Sequence, residues 1–565
     1  MKTTRTTIEL LEPRIAPATF TVINLNDAGP GSLRDALDKA DMQAGADTIV
    51  FRLPAPPANS ENMIELTGEL VSKGNVTIKG PGAGRLIIDG NDLGRVLRID
   101  DGVATTDSPT TISGLSIVNG QTAGDGGGVL SNESLTLKNV VVSGNFGAIG
   151  GGVAVFGDAT AGTKASVISS FLAGNRSNDT GGGLAFTEVK AVAISKTTVL
   201  GNSAQSAGGI FASTHVAGTG IAITGSVISS NFSAGSAGGL LVADHNPSAT
   251  SKAVISGTKI IGNHSAGATD GGGGVFIAAG DAVISGSTIS NNTALYAGGG
   301  LDAKGFTSLT ISGSTFSGNE TRDDATSTDG GGGLHIQGNN AGAPLPVKIS
   351  GTRVTDNRSD IYGGGLLALN GITLTISGST FSGNTADEAG GGLSTRGTGA
   401  GGKVDLTVTG SVFADNVASF GGGGIAASAL EGVVSISGSK VTGNQSSFGG
   451  AGIEARSTVG SVTIKNVVAS GNDGSDGGGL LIFNTAEFKV SGGSFTGNAA
   501  FEGGGIHILN STGSILGAKI SGNVAIGTGG GVFADAMSAV TLQVAKVIAN
   551  NAPVAPNVSG SFTFV

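Results

Sequence analysis

One block recurs from about residue 110 to the end of the chain, and it constrains the fold more than any other feature. An apolar-alternating stretch leads into S-G-x-x-x-x-G-N. A short polar stretch follows, then a Gly-rich run that ends on an aliphatic residue. The Asn marks stand at Asn119, Asn145, Asn175, Asn202, Asn231, Asn263, Asn292, Asn319, Asn357, Asn384, Asn416, Asn444, Asn472, Asn498, Asn523 and Asn550. Their mean spacing is about 29 residues, a period that means a solenoid, propeller or array. In twelve blocks the last Gly follows its Asn by 7 or 8 residues, so this turn is held in length while the rest of the block varies.

The strands inside each block alternate with period 2: Leu135 and Leu137; Leu309 and Ile311; Ile372, Leu374 and Ile376. Leucine-rich repeats need L-x-x-L-x-L, and propeller blades need about 40 residues and four strands. The pattern predicts an all-β fold: a single-stranded right-handed parallel β-helix of about 16–18 rungs, with a rise of about 4.8 Å per rung. Its core forms only by stacking. Inward Asn residues at the bend (Asn292, Asn319, Asn357, Asn384, Asn416, Asn444, Asn472, Asn498 and Asn523) can bond amide to amide between rungs. Asn and Gly also tolerate the positive φ of a sharp bend. The Gly runs allow close rung approach.

Composition excludes much else. The chain has 103 Gly in 565 residues but no Gly-X-Y period and only 13 Pro, so it is not collagen. With no Cys there are no disulfides, thiolate metal sites or cysteine nucleophiles. A net charge of −10 argues against nucleic-acid binding. A mean hydropathy of +0.21 is too apolar for a disordered chain, and no run of 18 apolar residues predicts a transmembrane helix.

The N-terminal part differs. Residues 1–18 read as an export-like or disordered segment. Residues 19–105 read as a strand–helix cap and first rungs, and 106–565 as the repeat domain. Ser32 is the expected N-cap, with Asp35 three residues on. Leu33, Ala36, Leu37 and Ala40 make one apolar helical face, and Gly45 suits the helix stop.

Asn26-Asp-Ala-Gly-Pro-Gly-Ser-Leu-Arg34-Asp-Ala-Leu37 resembles the GSLR-A leader of large bacterial surface β-helix proteins. Leu11-Glu12-Pro13-Arg14 resembles the LEPR element of exported planctomycete-type proteins. The rungs resemble the polymorphic outer membrane protein repeats of chlamydiae, with F-x-x-N at Phe316–Asn319, Phe381–Asn384, Phe413–Asn416 and Phe495–Asn498. The second mark of that family appears here mostly as G-G-G-[VIL]. The resemblance implies an extracellular or outer-membrane, cell-surface protein of a Gram-negative-type bacterium. Such proteins end in a membrane barrel. Here the repeats run to Asn550, so insertion through a barrel of its own is not expected.

The N-T-D and G-H-G signatures of polygalacturonase-type hydrolases are missing, and the pairs Asp100-Asp101 and Asp323-Asp324 lie far apart. Were the chain a polysaccharide lyase or hydrolase, its catalytic candidates are Arg322, Asp323, Asp324 and Asp329, in the longest Asn-to-Gly turn of the chain. The five His read as solvent-exposed polar residues, with no metal site expected. A column just before the Gly runs carries Tyr296, Tyr362, Phe420, Phe448 and Phe501, with Glu388 and Asp476 among them and Asp125 and Asp270 in related positions. This column should line one edge of the rod, where rings stack on sugars or a partner surface. Carboxylates there would hold Ca²⁺ only weakly. The reading is a non-enzymatic exported scaffold or adhesin-like rod without a cofactor, with polysaccharide, cell-surface or matrix components as its partners. The alternative is an enzyme of the pectin-lyase-like β-helix type.

Overall fold

A computed structural model of the chain describes residues 17–565 except 57–59, 159–161, 215–219, 245–250, 269–270, 279, 323–329, 340–342, 398–401, 430 and 544. It is a right-handed parallel β-helix of about 18 turns. One rung illustrates the plan. Leu135–Lys138 joins sheet 1, Val141–Ser143 joins sheet 2, Phe146–Gly147 joins a narrow sheet 3, and Val153–Phe156 joins sheet 4. Each strand pairs in parallel with its equivalent one rung away, as Leu135 with Ala165 and Val153 with Leu184.

The open N-terminal end is covered by helix α1, Leu33–Asp41. The Ser32 hydroxyl accepts from the Asp35 amide at 3.2 Å, and the Asp35 carboxylate accepts from the Gly31 amide at 2.8 Å. Leu33, Ala36, Leu37 and Ala40 are buried against the first rungs. The helix stops at Asp41 with Met42 as its C-cap, ahead of Gly45, where the sequence had placed the stop. Of the predicted segment 1–18, residues 1–16 lie outside the described residues.

The Asn marks form a buried ladder from Asn145 to Asn550. In fourteen consecutive links each Nδ2 donates to the next Oδ1 at 2.8–3.0 Å. The same Oδ1 also accepts the preceding Asn backbone N–H, as from Asn384 to Asn416 at 3.0 Å. Asn119 is outside the ladder; it is exposed and donates to Asp89. The left-handed backbone sits one residue before the ladder Asn rather than on it, at Gly383 (φ 64°) or, elsewhere, at Asp356 and Asp415. This is why G-N, and sometimes D-N, marks the corner.

The Gly runs pack under the ladder. A Cβ on Gly392 would lie 2.5 Å from the Gly424 carbonyl oxygen and 3.2 Å from the Asn416 amide, so no larger residue fits without moving backbone. A second ladder, unread in the sequence, runs along the corner between sheets 1 and 2. There the amides of Thr352, Ser379 and Ser411 each donate to the hydroxyl of Ser379, Ser411 and Ser439 respectively at 3.2 Å. Inside, Phe316, Phe381, Phe413 and Phe495 are fully buried, and the rings of Phe381 and Phe413 stack at 4.8 Å.

Replacing Asn384 by Ala removes its bonds to Asn416 and Val354 and leaves the buried Asn357 backbone N–H without its acceptor. The expected cost is about 2–4 kcal/mol. It should be read as a lower unfolding temperature and faster hydrogen exchange in rungs 354–420. Ser382→Ala, on the outer face of sheet 2, should leave both within noise.

Candidate functional site

Side chains with chemistry gather on the outer surface of sheet 4 and on the turn that precedes it. The outward position of sheet 4 runs in register through Asp302, His335, Leu367, Ser394, Ala426, Glu454, Leu481 and His507. Most of this column is buried, because the Gly-run turn folds back over it. A Cβ on Gly331 would lie 2.9 Å from the His335 Cα. His335 and His507 are therefore 0 % and 1 % exposed, which corrects the reading of them as solvent-exposed. His264 is half-buried and stacked on Phe232 at 5.6 Å, while His215 and His245 lie outside the described residues.

His335 Nδ1 lies 2.7 Å from Asp302 Oδ1, and both side chains are fully buried. Burial alone would raise the Asp302 carboxyl. The neighbouring His335 and Lys304 outweigh it and hold it below the usual carboxylate range. Lys304 reaches Asp302 at 3.4 Å and lies over the Tyr296 ring at 4.9 Å.

Three rungs along from Lys304, Tyr362, Arg396 and Glu454 line a small cavity of about 100 Å³ with Ser394, Ser428 and Phe483. The Arg396 guanidinium covers the Tyr362 ring at 3.7 Å. The Glu454 carboxylate lies against Gly421 and Gly449, where a side chain would displace it, and accepts from the Gly450 amide at 3.2 Å. Burial, reinforced by Asp476, pushes this carboxyl up to about 6. Further on, His507 Nδ1 faces Asp476 Oδ1 at 3.6 Å, with Glu502 beside them. Burial pushes the His507 imidazole down to about 4 against the opposing pull of Asp476 and Asp535, so the ring is neutral at neutral pH.

The edge column of the sequence reading divides. Tyr296 and Tyr362 turn toward sheet 4 and are half-buried under Lys304 and Arg396. Phe420, Phe448 and Phe501 face solvent at 50 %, 59 % and 56 % exposure, and Phe420 stacks on Phe448 at 5.2 Å. Val417, Val524 and Ile526 extend this apolar strip. In the rung between Phe448 and Phe501 the strip is interrupted by Asp473, Gly474 and Ser475. There a groove of about 440 Å³ opens, lined by Val417, Gln445, Asp473, Ser475, Phe501 and Ile526.

Of the four catalytic candidates, Asp323, Asp324 and Asp329 lie outside the described residues. Arg322 is exposed and pairs with Glu320 at 2.8 Å, beside an Arg358–Asp360–Asp387 ion cluster. The pair Asp100-Asp101 meets Glu133 across one rung, and Asp101 is engaged by Val103, Thr106 and Ser108 within its own loop. Among the described residues no helix is long and apolar enough to cross a membrane.

The family described as "Right handed beta helix region" matches residues 273–467 and 332–525. No curated protein matches the chain. Three solved structures show some likeness. The A-module of mannuronan C-5 epimerase AlgE6 from Azotobacter vinelandii is 13 % identical, with 95 % of this chain and 97 % of that chain covered at a TM-score of 0.23. PfbA, a surface adhesin of Streptococcus pneumoniae, is 13 % identical, with 86 % of each chain covered at 0.15. The PL6 family alginate lyase AlyGC is 10 % identical, with 97 % and 100 % covered at 0.19. Identities and scores this low carry no functional assignment.

The raised Glu454 carboxyl has a signed consequence. Its folded value near 6 lies above the ordinary 4.5, so the folded state holds the proton more tightly and loses stability as pH rises between those values. Glu454→Gln should therefore raise the melting temperature at about pH 7.5, by an effect on the order of 1–2 kcal/mol, and change little at about pH 4. Thermal melts at the two pH values check this.

Proposed function

We propose that this protein is a non-catalytic rod, exported to or displayed at the surface of a Gram-negative-type bacterium, that holds a polysaccharide strand along its sheet 3 edge. The observation that carries the reading is the exposed strip of Val417, Phe420, Phe448, Phe501, Val524 and Ile526 beside a polar-floored groove. Leaving several large apolar side chains in water along one edge costs stability, and exposed apolar patches mark interaction sites. Ring faces accept the C–H faces of sugars, while Gln445, Asp473 and Ser475 supply hydrogen-bonding groups for hydroxyls. The strip spans five rungs, about 20 Å at the rung spacing, which suits an extended strand rather than a small molecule.

One observation favours a second reading, a polysaccharide lyase or hydrolase. Glu454, with its carboxyl near 6, shares a cavity with Arg396 and Tyr362, a grouping that general acid–base chemistry uses.

Affinity electrophoresis through gels containing acidic or neutral polysaccharides, with and without Ca²⁺, separates the two. On the first reading one polysaccharide class retards the protein, Phe448→Ala and Phe501→Ala each weaken retention about tenfold or more, and no new reducing or unsaturated ends appear. Cleavage that is abolished in Glu454→Gln but kept in Phe501→Ala would establish the second reading instead.

A further inference from the structure

His507 is one of the most enclosed polar side chains of the rod, at 2 % side-chain exposure, yet neither of its ring nitrogens has a hydrogen-bond partner. A buried polar group without a partner costs about 1–3 kcal/mol. The ring is held in place: Phe533 meets it edge-on at 4.8 Å. Its Nδ1 is aimed at the Asp476 carboxylate from 3.6 Å, too far for a hydrogen bond.

Asp476 and Glu502 occupy equivalent positions on adjacent rungs and are bridged through their backbones. Among the described residues neither has a Lys or Arg partner. Burial and the neighbouring Asp476 push the Glu502 carboxyl up, the sign of two like charges set side by side without a counter-charge. One ligand atom from each of Asp476, Glu502 and His507 lies within 4.8 Å of the others. An ion with bonds of about 2.0–2.2 Å reaches ligand pairs up to about 4.4 Å apart. The separation of 3.6 Å between His507 and Asp476 already fits, and a small rotation of the half-exposed carboxylates closes the rest.

We propose that Asp476, Glu502 and His507 form a divalent transition-metal site of the zinc class that clamps two adjacent rungs. An imidazole ligand selects zinc-like ions, whereas Ca²⁺ takes oxygen ligands only. Asp476 is 39 % exposed on its side chain, which leaves an entry path and a position for water. The cluster of Asp100, Asp101 and Glu133 is a useful contrast, because it offers oxygens alone and Asp101 and Glu133 accept several bonds from their own loop, whereas Asp476 accepts one, from Ser475.

The test is isothermal titration of the untagged full chain with Zn²⁺ in an excess of Ca²⁺, followed by Co²⁺ absorption in the visible. The expected result is one Zn²⁺ per chain, a melting temperature that rises with Zn²⁺ concentration, and a Co²⁺ spectrum with nitrogen–oxygen ligation. His507→Gln should abolish binding, and Asp476→Asn should weaken it about tenfold or more. Asp476 is partly exposed, so its variant decides the matter even if His507→Gln does not fold. No Zn²⁺ bound in excess Ca²⁺, or equal binding by wild type and Asp476→Asn, overturns the proposal.

Discussion

The ladder of buried Asn amides is the constraint on which the rest of the rod depends. Each Asn serves the rung on either side, so a rung cannot shift in register without orphaning a buried donor. The residue before it must adopt a left-handed backbone, and the Gly run that follows must lie against the amide of the next Asn in the ladder. With this corner fixed, the loops between sheet 4 and sheet 1 are free to vary in length, as the sequence shows they do. The turn between Asn and the Gly run is shorter and less free, and it is where outward chemistry is displayed.

That turn creates two unlike surfaces. On its solvent side it presents the sheet 3 edge, where Arg176, Phe232, Glu320 and Arg358 give way to exposed Phe420, Phe448 and Phe501 toward the C-terminal half. On its inner side it covers sheet 4 and converts outward positions into buried ones. Asp302, His335, Glu454 and His507 occupy such positions, and this explains why a rod with few charges holds several perturbed titratable groups. The apolar strip and the carboxylate–imidazole cluster meet at Phe501 and Glu502, neighbours in sequence that face opposite ways around the turn.

Much of the fold was legible from the residues. The Asn marks from Asn145 on, the aliphatic alternation, the F-x-x-N rings and the Ser32-capped helix each occupy the place that their local physics required, while Asn119 does not. The sites were less legible. Period-2 alternation assigns the residue after the Gly-aliphatic mark to the outside, which is correct for the strand but says nothing of a turn folding back over it. His335 and His507 were misread for that reason. The edge aromatics formed one column by spacing, yet Tyr296 and Tyr362 lie half-buried under Lys304 and Arg396, while Phe420, Phe448 and Phe501 remain in solvent. A basic residue at this register does not by itself separate them, because Arg456 occupies the same position after Phe448 and lies over Phe483 instead.

A ligand held on the sheet 3 edge protects different amides from one held on the outer face of sheet 4. Hydrogen-exchange mass spectrometry with the polysaccharide that the rod retains distinguishes the two directly. Slowed exchange confined to 417–420, 445–448, 473–476 and 499–502 is the predicted result. Protection centred on 394–396, 426–428 and 454–456 instead would place the ligand over Glu454 and contradict the account.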